Sequence, residues 1–484
     1  DPNACVFEKM VPGTEEALAP ATRGRGSYLL LNFYKENAHP LIDVYEGKIS
    51  LDEFTAQLDN DDLIHLLGGQ PNTSVANTYG YGNLPEYGVP NIMTADGPAG
   101  LRITPQCEVC TTAWPCATLL ASTWNPALVE QVGTAGAEEV KENNIAVWLT
   151  PAVNIHRNPL CGRNFEYYSE DPLLTGKMGA AMVRGIQSQH IGAAVKHFAC
   201  NNKETNRKHS DSRVSERALR EIYLPAFEAA VKRGKAKGLM GAYNKLRGQH
   251  CCHNKYLLQD ILRKEWGFEG HVTSDCWAIK DFYEGHNVTK NAEESVALAM
   301  NNGCDLNCGT LFVYLLDAVH DGLVKEERLD EALVNLFTTR MKLGVFDKAD
   351  DNPYNKISYS VVDSPKMQEL NLTAAKRCLT LLKNDQMLPL DKEKIHTIGV
   401  IGPNADNRMA LVVNYEGTAS RYVTVLEGLE DYAKEHPRAD GEKMRIVYSE
   451  GCHLYKDRSS NLTQSRDRLA EAKGVCKESD VVVV

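Results

Sequence analysis

The sequence predicts an α/β protein in which a closed, TIM-like (β/α)8 barrel is followed by a partial α/β sandwich domain. The first observation behind this prediction is the alternation of short apolar runs with amphipathic helical patterns between about residues 90 and 310. Repeated strand–helix units require a parallel sheet, and this many in one stretch favour closure into a barrel. The second observation is a further group of apolar strand patterns after a polar stretch, which indicates a second α/β unit.

The composition of the chain changes at three places, which predicts four segments. Residues 1–65 are polar and form a helical N-terminal segment, with apolar positions at helical spacing from Tyr34 to Gln57. Residues 66–346 form the barrel, and residues 347–395, which begin with an Asp, Asn and Pro-containing stretch, form a linker. Residues 396–484 form the second domain, which we expect to be incomplete because a doubly wound sheet needs more than three strands.

Strands are predicted where short apolar runs are separated by stretches long enough to hold a helix. In the barrel these runs are Asn91–Asp96, Ala146–Val153, Ala193–Ala199, Gly238–Asn244, His271–Asp275 and Gly303–Leu306. In the second domain they are Thr397–Ile401, Lys443–Tyr448 and Val481–Val484.

Two connecting helices have clear local signals. The first is predicted to begin after the capping residue Asn125, with Pro126 at its first position, and its inward stripe consists of Leu128, Val132, Ala135 and Val140. The second is predicted from about Val214 to Val231, with a kink at Pro225 because proline removes a backbone donor.

Charge excludes several classes of partner. The 484 residues include 53 Lys plus Arg and 64 Asp plus Glu, which gives a net charge of −11. An acidic surface repels nucleic acid and anionic membranes, so neither is an expected partner. No run of about 18 apolar residues is present to span a bilayer. Small neutral substrates remain compatible with this composition, and so does a homo-oligomer.

The 14 cysteines are dispersed along the chain, and a reduced, cytoplasmic protein with free thiols is the simpler expectation. The chain begins at Asp1 without a leader pattern, which indicates trimming or processing and leaves export open. Cys107 and Cys110 have the spacing of half a zinc site, but no second half follows, so no metal is expected.

Polar side chains gather at the predicted strand ends, where a strand–helix barrel carries its reactive groups. Asp96 ends the first strand and could bind sugar hydroxyls, or it could simply close a turn. Arg163 lies three residues before Glu166, so the two side chains could form either a structural ion pair or a clamp for a ligand. Lys196 and His197 end the third strand, where burying a lysine is unfavourable without a purpose.

Asp275 ends the fifth strand, directly after a buried-looking run and close to the aromatic Trp277. A carboxylate held rigidly beside a flat apolar surface suits a glycosidic nucleophile. Tyr243, at the end of the fourth strand, could donate a hydrogen bond that keeps Asp275 ionised. Taken alone, Asp275 would be interpreted as an ordinary strand-ending residue.

The ordered set of motifs resembles glycoside hydrolase family 3, specifically its β-glucosidase branch, over about residues 80 to 480. The resemblance rests on Asp96-Gly-Pro-Ala-Gly-Leu-Arg102, Gly162-Arg163-Asn164-Phe165-Glu166, Lys196-His197-Phe198, Asn201-Asn202-x-Glu204-x-x-Arg207, Tyr243-Asn244 and Thr273-Ser274-Asp275. Further on, Asn414-Tyr415-x-Gly417 resembles the start of the family's second domain.

The resemblance implies retaining, exo-acting hydrolysis of terminal β-linked glucosyl residues from an oligosaccharide or aryl β-glycoside, without metal or organic cofactor. It assigns Asp275 as the nucleophile and Tyr243 as the residue that orients it. The expected sugar-binding residues are Asp96, Arg163, Lys196, His197 and Trp277.

Two departures from the β-glucosidase pattern qualify this implication. β-Glucosidases of this family usually carry Trp directly after the nucleophile, where this chain has Cys276. Together with the segment Cys304–Gly309, Cys276 resembles the β-xylosidase branch, so β-xylosidase or dual activity is the alternative. The family's acid/base glutamate typically lies downstream of a strand like Val481–Val484, so we expect impaired hydrolysis if the polypeptide ends there. A non-catalytic sugar-binding protein is therefore a further alternative.

Overall fold

The computed structural model describes residues 37–71, 78–104, 107–346, 356–412, 414–415, 417–454 and 466–484. These residues form two compact units. The first unit extends to Leu379 and includes Tyr415–Thr418, whereas the second unit consists of Thr380–Asn414 and Ala419–Val484.

The first unit contains a five-stranded parallel sheet with helices between its strands. The strands of this unit are β1 (Gln70–Pro71), β2 (Tyr79–Gly80), β3 (Thr94–Ala95), β4 (Val147–Trp148), β5 (Gly192–Phe198), β6 (Asp211–Ser212), β7 (Gly238–Gly241), β8 (Lys245–Leu246), β9 (Gln249–His250) and β10 (His271–Thr273). The order in the parallel sheet is β10-β7-β5-β4-β3. A bridge between Thr273 and Leu306 extends it beyond β10, as the predicted sixth strand requires.

Helices of the first unit connect these strands and cover the sheet. They are α1 (Ile42–Tyr45), α2 (Leu51–Thr55), α3 (Asn60–Leu67), α4 (Ala117–Ser122), α5 (Pro126–Glu142), α6 (Pro172–Gln187), α7 (Glu216–Ala218), α8 (Pro225–Lys232), α9 (Asp281–Glu284), α10 (Ala292–Asn302), α11 (Leu315–His320), α12 (Glu326–Lys342) and α13 (Pro365–Cys378). Their apolar faces and the sheet are buried in two extended clusters that form the core.

Helix α5 begins as its sequence predicts. The side chain of Asn125 accepts a hydrogen bond from the N–H of Leu128 at 3.2 Å, and Pro126 is the first helical residue. The predicted inward stripe is buried: Leu128, Val132, Ala135 and Val140. The prediction for the second helix is also confirmed, because a π-helical turn, Leu219–Tyr223, separates α7 from α8, which starts at Pro225.

The N-terminal segment is described only from residue 37. Within the helical pattern predicted from Tyr34 to Gln57, the described residues 37–57 contain two short helices, α1 and α2. Ser50 starts α2 with a capping box to Glu53, which fixes a new helix start inside the pattern.

The predicted linker 347–395 contains α13, which belongs to the first unit. Asn371 of this helix donates a hydrogen bond to the carbonyl of Ala113 in the same unit.

The second unit is built on three parallel strands, β11 (Thr397–Ile401), β12 (Arg445–Ser449) and β13 (Val481–Val483), with β11 in the centre. Its helices are α14 (Val425–Glu435) and α15 (Leu469–Glu478). The central strand buries Ile398 and Val400. All three strands lie where the sequence predicts them, within two residues at each end.

The prediction that the cysteines are free is wrong at one pair. Cys276 and Cys308 form a disulfide, which joins the segment after β10 to the segment after the Leu306 bridge. The other cysteines in the described ranges are free thiols, and several are buried. Among the helices of the described part, none is long and apolar enough to cross a membrane.

Candidate active site

The carboxyl ends of the parallel strands bring the predicted site residues together. Asp96 directly follows β3, Lys196 and His197 lie near the end of β5, and Asp275 follows β10 by one residue. Lys196 contacts Asp96, and His197 contacts Asp275, across more than 75 residues of sequence in each case. Parallel strands all end at one edge of their sheet, so residues distant in sequence meet there.

Asp275 is the central carboxylate of this cluster and is 7% exposed. Its Oδ1 accepts a hydrogen bond from the N–H of Cys276 at 2.8 Å. Its Oδ2 has no hydrogen-bond partner among the described residues, and Nε2 of His197 lies 3.7 Å away. One carboxylate oxygen is therefore held by the backbone while the other is buried and available to a ligand.

Burial raises the pKa of Asp275 to about 6, because the ionised form loses its hydration. The charges of Arg163 and Lys196 and the N–H of Cys276 act in the opposite direction and limit the rise. The carboxyl group is consequently ionised at neutral pH but accepts a proton in mild acid. A buried carboxylate that stays charged near neutral pH has the properties of a nucleophile.

Lys196 is buried between two carboxylates. Its Nζ donates to Oδ1 of Asp96 at 2.7 Å and lies 3.7 Å from Oε2 of Glu166. Burial by itself lowers the pKa of Lys196, but the two carboxylates outweigh it and the net pKa is above its usual value. The ammonium group therefore stays charged, and it fixes the position of Asp96 at the rim.

Arg163 forms the second buried ion pair, with Nε 2.5 Å from Oε1 of Glu166. Its Nη2 is 2.7 Å from Nε2 of His197 and 3.3 Å from the hydroxyl of Tyr415. Because a guanidinium only donates, Nε2 of His197 accepts this hydrogen bond and the imidazole proton resides on Nδ1. The Arg163–Glu166 ion pair is therefore buried, as one of the two interpretations of the motif expects, and the role of Arg163 as a ligand clamp stays a prediction.

His197 is neutral in this arrangement. Burial lowers its pKa well below the usual value, and the neighbouring charges of Arg163 and Lys196 lower it further. Its Nδ1 faces the hydroxyl of Tyr167 at 3.4 Å. A neutral imidazole in this tautomer cannot form a strong ion pair with Asp275, so that carboxylate keeps its reactivity.

Tyr243 has a different acceptor from the predicted one. Its hydroxyl donates to the carbonyl oxygen of Cys276 at 2.6 Å and not to the carboxylate of Asp275. Burial and then the charge of Asp275 raise the pKa of Tyr243 well above its usual value, so the hydroxyl remains a donor. The guanidinium of Arg207, which pairs with Glu204, stacks over the ring at 4.1 Å. Tyr243 therefore acts on Asp275 through the neighbouring residue.

Trp277 is the exposed aromatic of the site, with 40% of its surface accessible. Its ring meets that of Tyr79 edge to face, with centroids 5.7 Å apart. An exposed indole face two residues after Asp275 provides an apolar platform for a flat ligand such as a sugar ring. Its role in substrate binding stays a prediction.

Tyr415 is a site residue that the predictions missed. Its ring lies 4.7 Å from Nζ of Lys196 and 5.4 Å from the guanidinium carbon of Arg163. The sequence marked it only as part of the motif that starts the second domain, whereas Tyr415–Thr418 belongs to the first unit. The signal that could have found it is the motif itself, an aromatic residue between Asn414 and Gly417.

The described residues contain no group of three or more His, Cys, Asp or Glu side chains placed to hold a metal ion, including at Cys107 and Cys110. The site itself consists of ionisable and aromatic side chains. It offers an ionised buried carboxylate, two fixed cations with paired carboxylates, and an aromatic platform. This set can bind vicinal hydroxyl groups and attack an electrophilic carbon.

This cluster lies at the carboxyl ends of the strands of a TIM-barrel-like domain. Residues 82–339 match the family model of the glycosyl hydrolase family 3 N terminal domain, and residues 379–484 match that of the family's C-terminal domain. The chain is therefore a member of glycosyl hydrolase family 3, as the sequence motifs indicate.

Relatives and solved structures support the same assignment. Beta-glucosidase A of Butyrivibrio fibrisolvens is 54% identical over 290 residues, which are 60% of this chain and 33% of the relative. Beta-glucosidase 3B from Thermotoga neapolitana in complex with glycerol has a TM-score of 0.73 at 34% identity, covering 89% of this chain and 61% of that one. A GH3 exo-beta-xylosidase (XlnD) in complex with a xylobiose aziridine activity based probe has a TM-score of 0.80 at 25% identity, covering 92% and 58%.

These likenesses confirm the predicted fold class, a TIM-like barrel followed by an α/β domain. The chain spans a third of the curated relative and about three fifths of each solved chain.

Proposed function

We propose that this chain belongs to an exo-acting, retaining β-glucosidase that removes terminal non-reducing β-D-glucosyl residues, with Asp275 as its nucleophile. The observation that carries the proposal is the geometry of Asp275: Oδ1 is fixed by a backbone donor while the buried Oδ2 has no partner in the described ranges. In double displacement, this oxygen attacks the anomeric carbon while the glycosidic C–O bond breaks and the leaving group departs with a proton. Water then hydrolyses the glycosyl ester, which releases the sugar and restores the carboxylate.

The residues around Asp275 bind the sugar in this proposal. We expect Asp96 to accept hydrogen bonds from the sugar hydroxyl groups, and Lys196 and Arg163 to donate hydrogen bonds to them. Trp277 provides the apolar surface for the ring next to the cleaved bond. The relatives named beta-glucosidase A and beta-glucosidase 3B support glucose as the sugar.

The second carboxyl group of such a mechanism protonates the leaving oxygen and lies about 5 to 5.5 Å from the nucleophile. Glu166 is buried in ion pairs with Arg163 and Lys196, and Glu204 pairs with Arg207. Both carboxylates are thus already engaged by cations of the protein itself. We assign neither glutamate as the acid/base.

The test is covalent labelling by an activated 2-deoxy-2-fluoro-β-glucoside, whose leaving group departs without protonation. We expect one label at Asp275, identified by mass spectrometry of the digested protein, and no label in Asp275→Asn. A label on another residue contradicts the proposal. Saturable glucose binding without any label would instead support a non-catalytic sugar-binding protein.

The alternative of β-xylosidase or dual activity is favoured by one specific observation. Cys276 directly follows Asp275 and forms a disulfide with Cys308, where the β-glucosidase pattern has Trp. The likeness to the exo-beta-xylosidase structure supports the same alternative. Labelling rates measured with matched fluoroglucoside and fluoroxyloside probes decide between the two activities, because the two probes differ only in the C6 hydroxymethyl group.

A further inference from the structure

Cys276, the residue directly after Asp275, is held at three points. Its N–H donates to Oδ1 of Asp275 at 2.8 Å. Its carbonyl oxygen accepts from the hydroxyl of Tyr243 at 2.6 Å. Its Sγ is bonded to Sγ of Cys308. The donor that fixes one oxygen of the carboxylate therefore belongs to a residue whose own position is set by a hydrogen bond and a covalent bond.

Cys308 is itself anchored to the segment that carries Asp275. Its N–H donates to Oγ of Ser274 at 2.9 Å, and its carbonyl accepts from the N–H of Trp277 at 2.8 Å. Trp277 has a φ of 66°, a left-handed conformation that is unfavourable for a residue with a bulky side chain. The disulfide thus closes a compact cross-link around the nucleophile and its aromatic neighbour.

We propose that the Cys276–Cys308 disulfide positions the carboxylate of Asp275 for attack, and that its reduction slows formation of the glycosyl ester. The inference rests on the proposed function, because it concerns the same nucleophile. A dithiol supplies two electrons and two protons: the protein S–S bond becomes two thiols, and the dithiol becomes a cyclic disulfide. Among the described residues this disulfide is the only target for the reductant.

Reduction of the disulfide is expected to slow the chemical step more than it weakens sugar binding. The sugar-binding side chains Asp96, Arg163 and Lys196 are held by buried ion pairs that reduction does not touch. Misplacing a reacting group by about 1 Å can slow a reaction by about 100-fold. Because two of the three restraints on Cys276 remain after reduction, we expect a smaller loss of about tenfold.

The experiment measures labelling of the full chain by the activated 2-deoxy-2-fluoro-β-glucoside before and after treatment with dithiothreitol. We expect the labelling rate at saturation to fall about tenfold, with the half-saturating concentration changed by less than twofold. Reoxidation is expected to restore the rate. Equal rates in both forms would overturn the inference, as would alkylation of Cys276 and Cys308 in the untreated protein.

Two variants separate positioning from general damage. The double variant Cys276→Ala/Cys308→Ala should label slowly and be insensitive to dithiothreitol. The matched control Cys452→Ala/Cys476→Ala removes two exposed free thiols of the second unit, and it should label at the original rate and respond to the reductant. If the untreated chain takes up no label at all, the proposed function fails as well. If the labelling rate is unaffected by reduction, only the positioning role of the disulfide is wrong.

Discussion

Replacing Asp275 by asparagine is expected to stabilise the folded protein at neutral pH while it removes the nucleophile. Asparagine has the shape of the protonated carboxyl group, and its Oδ1 can still accept from the N–H of Cys276. The charged form of Asp275 is unfavourable where it lies, because burial raises its pKa from 3.8 to about 6. The variant therefore removes an unfavourable buried charge from the folded state, which raises the free energy of unfolding.

The size of the effect follows from proton linkage. A group whose pKa is raised on folding makes the folded state most stable below the unfolded pKa, and that stability is lost as the pH rises through the folded pKa. The difference for Asp275 is about two pH units, and each unit corresponds to about 1.4 kcal/mol. The asparagine variant should therefore gain about 3 kcal/mol at pH 7 to 8 and about 1 kcal/mol at pH 4.5.

Urea unfolding of both proteins, followed by tryptophan fluorescence at pH 4.5, 6 and 8, measures this difference. The exposed Asp317→Asn on α11 is the matched control, with an expected change below about 0.5 kcal/mol at each pH. A stability difference at Asp275 that is the same at every pH, or a variant less stable than the original at pH 8, would refute the reasoning.

Three further outcomes are expected. The rate of labelling by the fluoroglucoside should rise with pH through about 6, because Asp275 must be ionised to attack, and a pH–rate profile measures this. Lys196→Ala should reduce the free energy of unfolding by about 3 to 5 kcal/mol in urea titrations, since it leaves Asp96 and Glu166 without their shared cation. Asn125→Ala should reduce it by about 1 kcal/mol through loss of the helix cap, with labelling unchanged.

Local signals predicted the elements that depend on neighbouring residues. The start of α5 follows from Asn125 and Pro126, and β11 follows from a buried run bounded by polar residues. The pattern from Tyr34 to Gln57 predicted a helical segment but not its division into α1 and α2, because apolar periodicity continues across the point where Ser50 caps a new helix. Periodicity reports which face is buried and says little about where one helix ends and another begins.

The gathering of the site residues was predictable, but their partners were not. Parallel strands end at one edge, so Asp96, Lys196 and Asp275 had to meet. The Tyr243 hydroxyl donates to the carbonyl oxygen of Cys276, whereas the expected acceptor was the carboxylate of Asp275. The sequence does not show which of two neighbouring acceptors a side chain reaches. The disulfide at Cys276 was missed for a related reason, since pairing depends on the approach of two segments that no spacing rule predicts.

The buried ion pairs have a consequence for the electrical balance of the site. Arg163 and Lys196 contribute two positive charges, Asp96, Glu166 and Asp275 contribute three negative ones above about pH 6, and His197 contributes none. One unit of negative charge is left over in a place where salt screens poorly. A sugar analogue with a protonated ring nitrogen should therefore bind more tightly than its neutral counterpart. That advantage should be absent in Asp275→Asn, which removes the surplus charge, and inhibition constants measured on both proteins check this.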